Sequence, residues 1–251
     1  DQAASVLLEK RPNPAETFSG LVKNLSRLFS RQLRDLDVLL VHGDTLTCMA
    51  GALAASLNLV PVGHVEAGLR TFSKEPFPEQ ICTRASDACS DLHFAATHEN
   101  ERNLLNEGFP KERVFVVGNT VVDAARVACR KGEGRQKYFE DLGIDFSKKL
   151  AYFSCHRRET LRDEKRFTAI VRAVEKVSEG GLQVLWSLRP GTQEALRRYG
   201  LSHELSKYPN LIPVAEIPRY SDIMFLLSRC HLIATDSGSL QEEAAALRVP
   251  C

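Results

Sequence analysis

The sequence predicts an α/β protein built on parallel sheets, and three observations point there. Strand and helix signals alternate along the 251 residues. The strands are near-continuous apolar runs, as expected where both faces of a sheet are covered. The alternation pauses in a polar, glycine-containing stretch at 131–148 and then restarts. That pause predicts two sheets in tandem: a first domain at 1–130, a linker at 131–148 and a second domain at 149–251.

Residues 37–41 are a short apolar run that stops at His42-Gly43-Asp44-Thr45, and the Ala- and Leu-rich stretch 47–57 reads as the helix after it. A second buried strand at 60–65 ends at Glu66-Ala67-Gly68, and a third lies at 91–96. Residues 99–106 read as a helix with Thr97 as N-cap. A fourth strand at 114–117 is closed by Gly118-Asn119. Beyond the linker, a strand at 150–154 ends at Cys155-His156-Arg157-Arg158, followed by an amphipathic helix at 166–176. A strand at 183–187, a helix at 194–199, strands at 211–214 and 231–234 and a final helix at 239–247 complete the series.

Composition excludes several classes. With 33 Lys+Arg against 32 Asp+Glu, the net charge is +1, without the basic excess that nucleic-acid or membrane-surface binding needs. No apolar run approaches the ~18–20 residues of a spanning helix, and no signal-peptide pattern opens the chain. The seven cysteines are widely spaced with no C-x-x-C, which argues against a zinc ribbon or a redox pair and for reduced thiols in a cytoplasmic compartment. Asp1 at the start and Cys251 at the end make both termini read as cut.

In open α/β sheets, ligands bind beyond the carboxyl ends of the strands, and five constellations fall there. In His42-Gly43-Asp44-Thr45, Asp44 is either a base or hydroxyl acceptor, or a helix N-cap shared with Thr45. In His64-Val65-Glu66-Ala67-Gly68-Leu69-Arg70, Glu66 and Arg70 either face the crevice or form a surface pair worth well under ~1 kcal/mol. Around Pro76-Phe77-Pro78-Glu79-Gln80, with Arg84 beyond, Glu79 opens a helix whose dipole it complements. His156-Arg157-Arg158-Glu159 reads as a phosphate-facing turn, since arginine offers planar bidentate donors, or as a solvated basic turn. In Thr235-Asp236-Ser237-Gly238-Ser239, small residues leave helix N-terminal amides open to a phosphate, and Glu242 and Glu243 could take a ribose diol; the alternative is a cap. Trp186 and His93 read as core residues. Cys155 beside His156 lacks a third orienting group and reads poorly as a nucleophile.

Taken in order, these motifs resemble the non-hydrolysing UDP-N-acetylglucosamine 2-epimerases, with Gly118-Asn119-Thr120 and Gln241-Glu242-Glu243 completing the set. The resemblance implies two Rossmann-like domains facing each other across a cleft, the glycosyltransferase-B arrangement. It implies a homodimer when full length, and a place in cell-surface polysaccharide biosynthesis. It implies that a base removes the proton at C2 of the sugar, that UDP leaves C1 to give a glycal, and that UDP re-adds after protonation on the other face. No metal or other cofactor is called for. Carried over, Asp44, Glu66 and Glu79 are carboxylates near the sugar, and His156 sits by the diphosphate. Arg70, Arg84, Arg157, Ser237, Gly238 and Ser239 bind substrate, and Glu243 holds the ribose.

The sequence departs from the family in three places. The family's Asn-Arg after Pro-Glu is replaced by Cys82-Thr83, with Arg84 one place late, a rotation of about 100° on a helix. Arg189 and Gly191 stand where many relatives have His with Asn or Arg. The family's first strand, with its Gly-Thr-Arg-Pro-Glu turn, and its Arg- and Glu-rich C-terminal loop have no counterpart here. The resemblance therefore implies a fragment that is weakly active or inactive alone. Two other readings stay open: an epimerase of a related UDP-diacetamido sugar, and a catalytically impaired nucleotide-sugar-binding relative. A glycosyltransferase of the same architecture fits less well, because Glu66 and Glu79 together would be superfluous in it.

Overall fold

In the first half of the chain, four short strands lie side by side in sequence order. They are β1 (Leu39–His42), β2 (Val62–Ala67), β3 (Leu92–Ala95) and β4 (Val114–Val116), all parallel. The computed structural model describes residues 13–33 and 35–251; residues 1–12 of the expected first domain lie outside the described residues. Helix α1 (Pro14–Arg31) packs on α2 (Leu46–Leu57), and α3 (Glu79–Ala88) and α4 (His98–Asn106) follow β2 and β3. The small side chains of α2 let it lie close to the sheet: Ala50, Ala52, Ala54 and Ala55 are buried, and a Cβ on Gly51 would come within 3.3 Å of Val41. Thr97 caps α4 as expected, accepting from the Asn100 N–H. His93 is a core residue whose Nε2–H donates to the Asp87 carbonyl at 3.0 Å.

Where β2 leaves the sheet, Gly68 adopts φ +81°, and a Cβ there would sit 2.3 Å from the Asn100 carbonyl. Its own carbonyl accepts from the side chains of Asn100 and Asn103 on α4. Gly68→Ala combines a left-handed backbone with a backbone collision, and is expected to cost about 3 kcal/mol. A denaturation midpoint within about 1 kcal/mol of the unaltered chain would contradict this account of the β2–α4 junction.

The second half builds its own parallel sheet in the order β7-β6-β5-β8. The strands are β5 (Leu150–Ser154), β6 (Gln183–Ser187), β7 (Leu211–Val214) and β8 (Leu232–Thr235). Alternation along β5 and β6 sends side chains to two cores, and β8 adds Ile233 to the first of them. Tyr152, Leu185 and Ile233 join Phe139, Met224 and Phe225 on one face. Ala151, Val184 and Trp186 join Phe167, Val171 and Leu196 on the other. Burial on both faces is why these strands read as continuous apolar runs. Helices α8 (Glu164–Glu179) and α9 (Pro190–Arg198) supply the second core. Helices α5 (Thr120–Gly132), α6 (Gln136–Asp141), α10 (Tyr220–Ser228) and α11 (Gly238–Leu247) supply the first, and a short α7 (Arg158–Arg162) follows β5. Among the described residues no helix is long and apolar enough to cross a membrane.

The division between the halves differs from the expected one. The chain separates into two compact units after Asn119, not at a linker over 131–148. Ala125 and Ala128 of α5 are buried in the core of the second sheet. Gly132 is backed so closely by α10 that a Cβ would lie 2.3 Å from the Ser221 carbonyl. Phe139 and Ile144, inside the supposed linker, are fully packed in the same core. The composition that suggested a linker comes from Gly134 and Gly143, turn glycines at φ +92° between short elements.

Candidate active site

In the first unit, β1 ends at His42 and the chain turns at Gly43, whose φ of +78° suits a glycine. The Gly43 N–H donates to the Val65 carbonyl at 3.1 Å. Thr45, not Asp44, caps α2, accepting from the Cys48 N–H at 3.1 Å. Asp44 is therefore left half-buried between turn and cap.

At the end of β2 the pairing with β3 slips between Val65 and Ala67, so Glu66 is the extra residue of a bulge. Its φ of +69° is a costly conformation for a residue with a Cβ, of the kind that clusters at functional sites. The bulge turns the Glu66 carboxylate toward β1, where His42 Nε2–H donates to Oε1 at 2.8 Å. A Cβ on Gly43 would lie 3.7 Å from Glu66 Oε2. Glu79 opens α3 after Pro78, half-buried. The buried Cys82 thiol one turn along α3 is pushed up to about 11 by burial, with the negative charges of Asp44 and Glu79 adding to it. The carboxylates from β1, β2 and α3 thus gather at one end of the sheet.

The two arginines have different surroundings. Arg70 does not offer its guanidinium to a ligand: the side chain is 1% exposed, with Nη1 2.8 Å from Asp87 and Nε and Nη2 each 2.7 Å from Glu107. Two carboxylates distant in sequence hold it, in place of a pairing with Glu66. Arg84 is exposed, with Nη2 3.7 Å from Glu107 on the outside of α3, in keeping with its displaced position in the motif. Asp87 and Glu107 carried no local signal in the sequence, since each acts through residues 17 to 37 positions away.

Asp87 is also the partner of His64. In the fully buried pair, Nδ1 of His64 lies 2.6 Å from Asp87 Oδ1, and Nε2 lies 2.9 Å from the Gly43 carbonyl. Burial alone would lower the His64 pKa. Hydrogen bonds from the imidazole to Asp87, Cys48 and Gly43 and the Asp87 charge outweigh burial, and raise it from 6.5 to about 10.

In the second unit, β5 and β8 are neighbours, and the register Ser154↔Thr235 brings their two motifs together. Ser154 and Thr235 hydroxyls are 2.8 Å apart. The Asp236 carboxylate accepts from the backbone N–H of His156 at 2.9 Å and of Arg157 at 2.8 Å, and its Oδ1 lies 3.1 Å from His156 Nδ1. Burial would raise the Asp236 pKa, but the His156 side chain and these amides hold it down to about 2. Arg157 Nε–H donates to the Asp236 carbonyl at 3.1 Å. Asp236 thus joins the two turns, a role its place in the motif did not reveal.

At the start of α11, Ser237 occupies the cap position but makes no side-chain capping bond, and Gly238 and Ser239 are exposed in the first turn. Glu243 is 7% exposed and hydrogen-bonded to Tyr220 of α10, with its pKa raised by burial. Cys155 is buried, and burial with the Asp236 charge pushes its thiol far above the ordinary range, which removes the nucleophile reading. All seven cysteines are free thiols.

The family model for UDP-N-acetylglucosamine 2-epimerase matches residues 2–251. The chain belongs to the UDP-N-acetylglucosamine 2-epimerase family. It is 37% identical over 252 residues to the UDP-N-acetylglucosamine 2-epimerase of Bacillus subtilis, covering 97% of this chain and 62% of that protein. The structure of the Methanocaldococcus jannaschii UDP-GlcNAc 2-epimerase in complex with UDP-GlcNAc and UDP is 31% identical with a TM-score of 0.84, covering 96% of this chain and 66% of that one. The chain thus spans about three fifths of the length of the curated relatives it matches. The structure of a trehalose 6-phosphate synthase from Burkholderia multivorans, at 15% identity and a TM-score of 0.56 over 92% of this chain and 60% of that one, shares the fold alone. These likenesses agree with the α/β, glycosyltransferase-B-like fold class of this epimerase-family chain.

Proposed function

We propose that the intact protein interconverts UDP-N-acetylglucosamine and UDP-N-acetylmannosamine. The observation that carries this reading is the cluster of Asp44, Glu66 and Glu79 at the strand ends of the first unit, with Glu66 held on a strained bulge. Three carboxylates carried at the same end of one sheet suit proton transfer to and from carbon. The C2 hydrogen of the sugar is only weakly acidic, and its removal becomes feasible when the C1–O bond breaks as UDP departs. The electron pair of the C2–H bond forms the C1–C2 double bond, the proton goes to one carboxylate, and the bridging oxygen leaves with UDP. Re-addition of UDP at C1 with protonation of C2 from the opposite face gives the epimer. Every bond broken is remade, so the reaction is redox-neutral and needs no nicotinamide.

In this reading the second unit holds the nucleotide. His156, Arg157 and the first turn of α11, with Ser237, Gly238 and Ser239, stabilise the diphosphate as negative charge builds on it. Glu243, in reach of Tyr220, takes the ribose. Arg70 is left out of the substrate contacts, because its guanidinium is already held by Asp87 and Glu107. The same reading places the protein in the cytoplasm as a homodimer acting on a UDP-sugar.

Two tests follow. ¹⁸O placed in the bridge between C1 and phosphorus is expected to scramble into the non-bridging positions of recovered UDP-N-acetylglucosamine. Epimer formation with the label kept in the bridge would rule out departure of UDP. Asp236→Asn removes a charge partner of His156, while one amide oxygen in the Oδ2 place still accepts from both backbone N–H groups, so the variant isolates the charge. UDP affinity by calorimetry is expected to fall roughly tenfold; an unchanged affinity would separate Asp236 from the diphosphate site.

A further inference from the structure

The two closest ring contacts of His64, at Nδ1 and at Nε2, are both to acceptors. Nδ1 faces the Asp87 carboxylate, which also accepts from Arg70 Nη1 at 2.8 Å and from the Gly68 N–H at 3.2 Å. Nε2 faces the carbonyl of Gly43, which can only accept. The Cys48 thiol also contacts the ring but is shared with the Ser86 hydroxyl at 3.4 Å; an acceptor facing each nitrogen favours two ring protons, an imidazolium with no solvent exposure. A neutral ring would turn a lone pair on a carboxylate or on a carbonyl.

The groups around the ring keep the charge balanced. Asp87 on α3 lies beside it, the Cys48 thiol of α2 contacts it, and His93 of β3 is its neighbour across the sheet. Behind Asp87 stand Arg70 and then Glu107. Two positive and two negative groups close the chain of contacts: His64, Asp87, Arg70 and Glu107. An uncompensated charge at that depth would be costly.

The consequence falls on the peptide between Gly43 and Asp44. Its oxygen is gripped by His64, and the Gly43 N–H is tied to Val65, one residue before the Glu66 bulge. Asp87, at the other end of the imidazole, is tied to Gly68, two residues after that bulge. The same buried cation therefore fixes the turn that carries Asp44 and His42 and the turn that carries Glu66. We infer that His64 is a positioning residue, an imidazolium kept charged so that it locks the Gly43–Asp44 peptide and sets Asp44 and His42 against Glu66. The inference rests on the proposed epimerase reading for its effect on turnover, but not for the charge state.

The test has two arms on the intact protein. In the first, ¹⁵N-histidine spectra, with His64 assigned by its loss in His64→Gln, are expected to show protons on both ring nitrogens and no titration between about pH 6 and pH 9. A ring with one proton, or a midpoint near the ordinary histidine value, overturns the inference. In the second arm, His64→Gln and Asp87→Asn, each confirmed folded by circular dichroism, are assayed for epimer formation. Misplacing Asp44 is expected to lower kcat about 100-fold, with KM for UDP-N-acetylglucosamine and Kd for UDP within about twofold. Unchanged kcat, or a loss confined to KM and Kd, overturns the inference. If the unaltered protein shows no epimerase activity, the proposed reaction fails while the spectra still decide the charged clamp. If either variant does not fold, the other and the spectra of the unaltered protein decide it.

Discussion

Glu66→Gln is expected to lower epimerisation by about 10²- to 10⁴-fold while leaving UDP affinity nearly intact. Glutamine keeps the shape of the side chain, and its carbonyl oxygen still accepts from His42 Nε2, which sits 2.8 Å from Glu66 Oε1. The bulge and its φ of +69° do not depend on the charge. What is lost is the capacity to take a proton from carbon. The proposed diphosphate contacts, His156, Arg157 and the first turn of α11, are untouched, so binding of UDP measured by calorimetry should not move. A variant that keeps a tenth or more of the rate (about 1.4 kcal/mol of barrier) would assign the proton transfer to Asp44 or Glu79 instead.

Asp87→Ala should produce the largest loss of stability, about 3–5 kcal/mol. It removes the carboxylate that His64 and Arg70 share in a fully buried site, and it orphans the Gly68 N–H. The pH dependence carries a sign that identifies the cause. The folded pKa of His64 is raised from 6.5 to about 10. The stabilisation is therefore complete below the unfolded value and is lost as pH rises through the window between the two. Within it, one extra proton is bound by the folded state, and stability falls by up to about 1.4 kcal/mol per pH unit. Urea midpoints taken at several pH values across this window should show the decline in the unaltered chain. They should show it strongly reduced in Asp87→Ala, where the imidazole has no carboxylate to hold its charge. Equal slopes in the two proteins would mean that another group controls alkaline stability.

The sheets were legible because their signals are local. The runs at 150–154, 183–187 and 211–214 coincide with β5, β6 and β7, since strands covered on both faces announce themselves by unbroken apolarity. The cap at Thr97 was legible for the same reason: donor and acceptor are three residues apart. Helix α10 was not, because Met224, Phe225, Leu226 and Leu227 are all buried and a helix apolar all round has no 3.6-residue alternation to read. The expected first domain runs to residue 130, past the division after Asn119, since nothing in the sequence of α5 tells which sheet Ala125 and Ala128 will meet.

At the site, the motif residues Asp44, Glu66 and Glu79 could be named from their places after strands. Arg70 could not be placed correctly, because its direction is set by Asp87 and Glu107, 17 and 37 residues further along the chain. The charge on His64 was equally hidden, as it depends on two acceptors, from α3 and from the β1 turn, that only the fold brings to one ring.

The decisive measurement is solvent exchange at the sugar. The intact protein, incubated with UDP-N-acetylglucosamine in D₂O, is expected to place deuterium at C2 of both epimers, as it must if a carboxylate lifts that hydrogen while UDP departs. Epimer formed with its original C2 hydrogen, or UDP bound with no exchange at all, would contradict that chemistry.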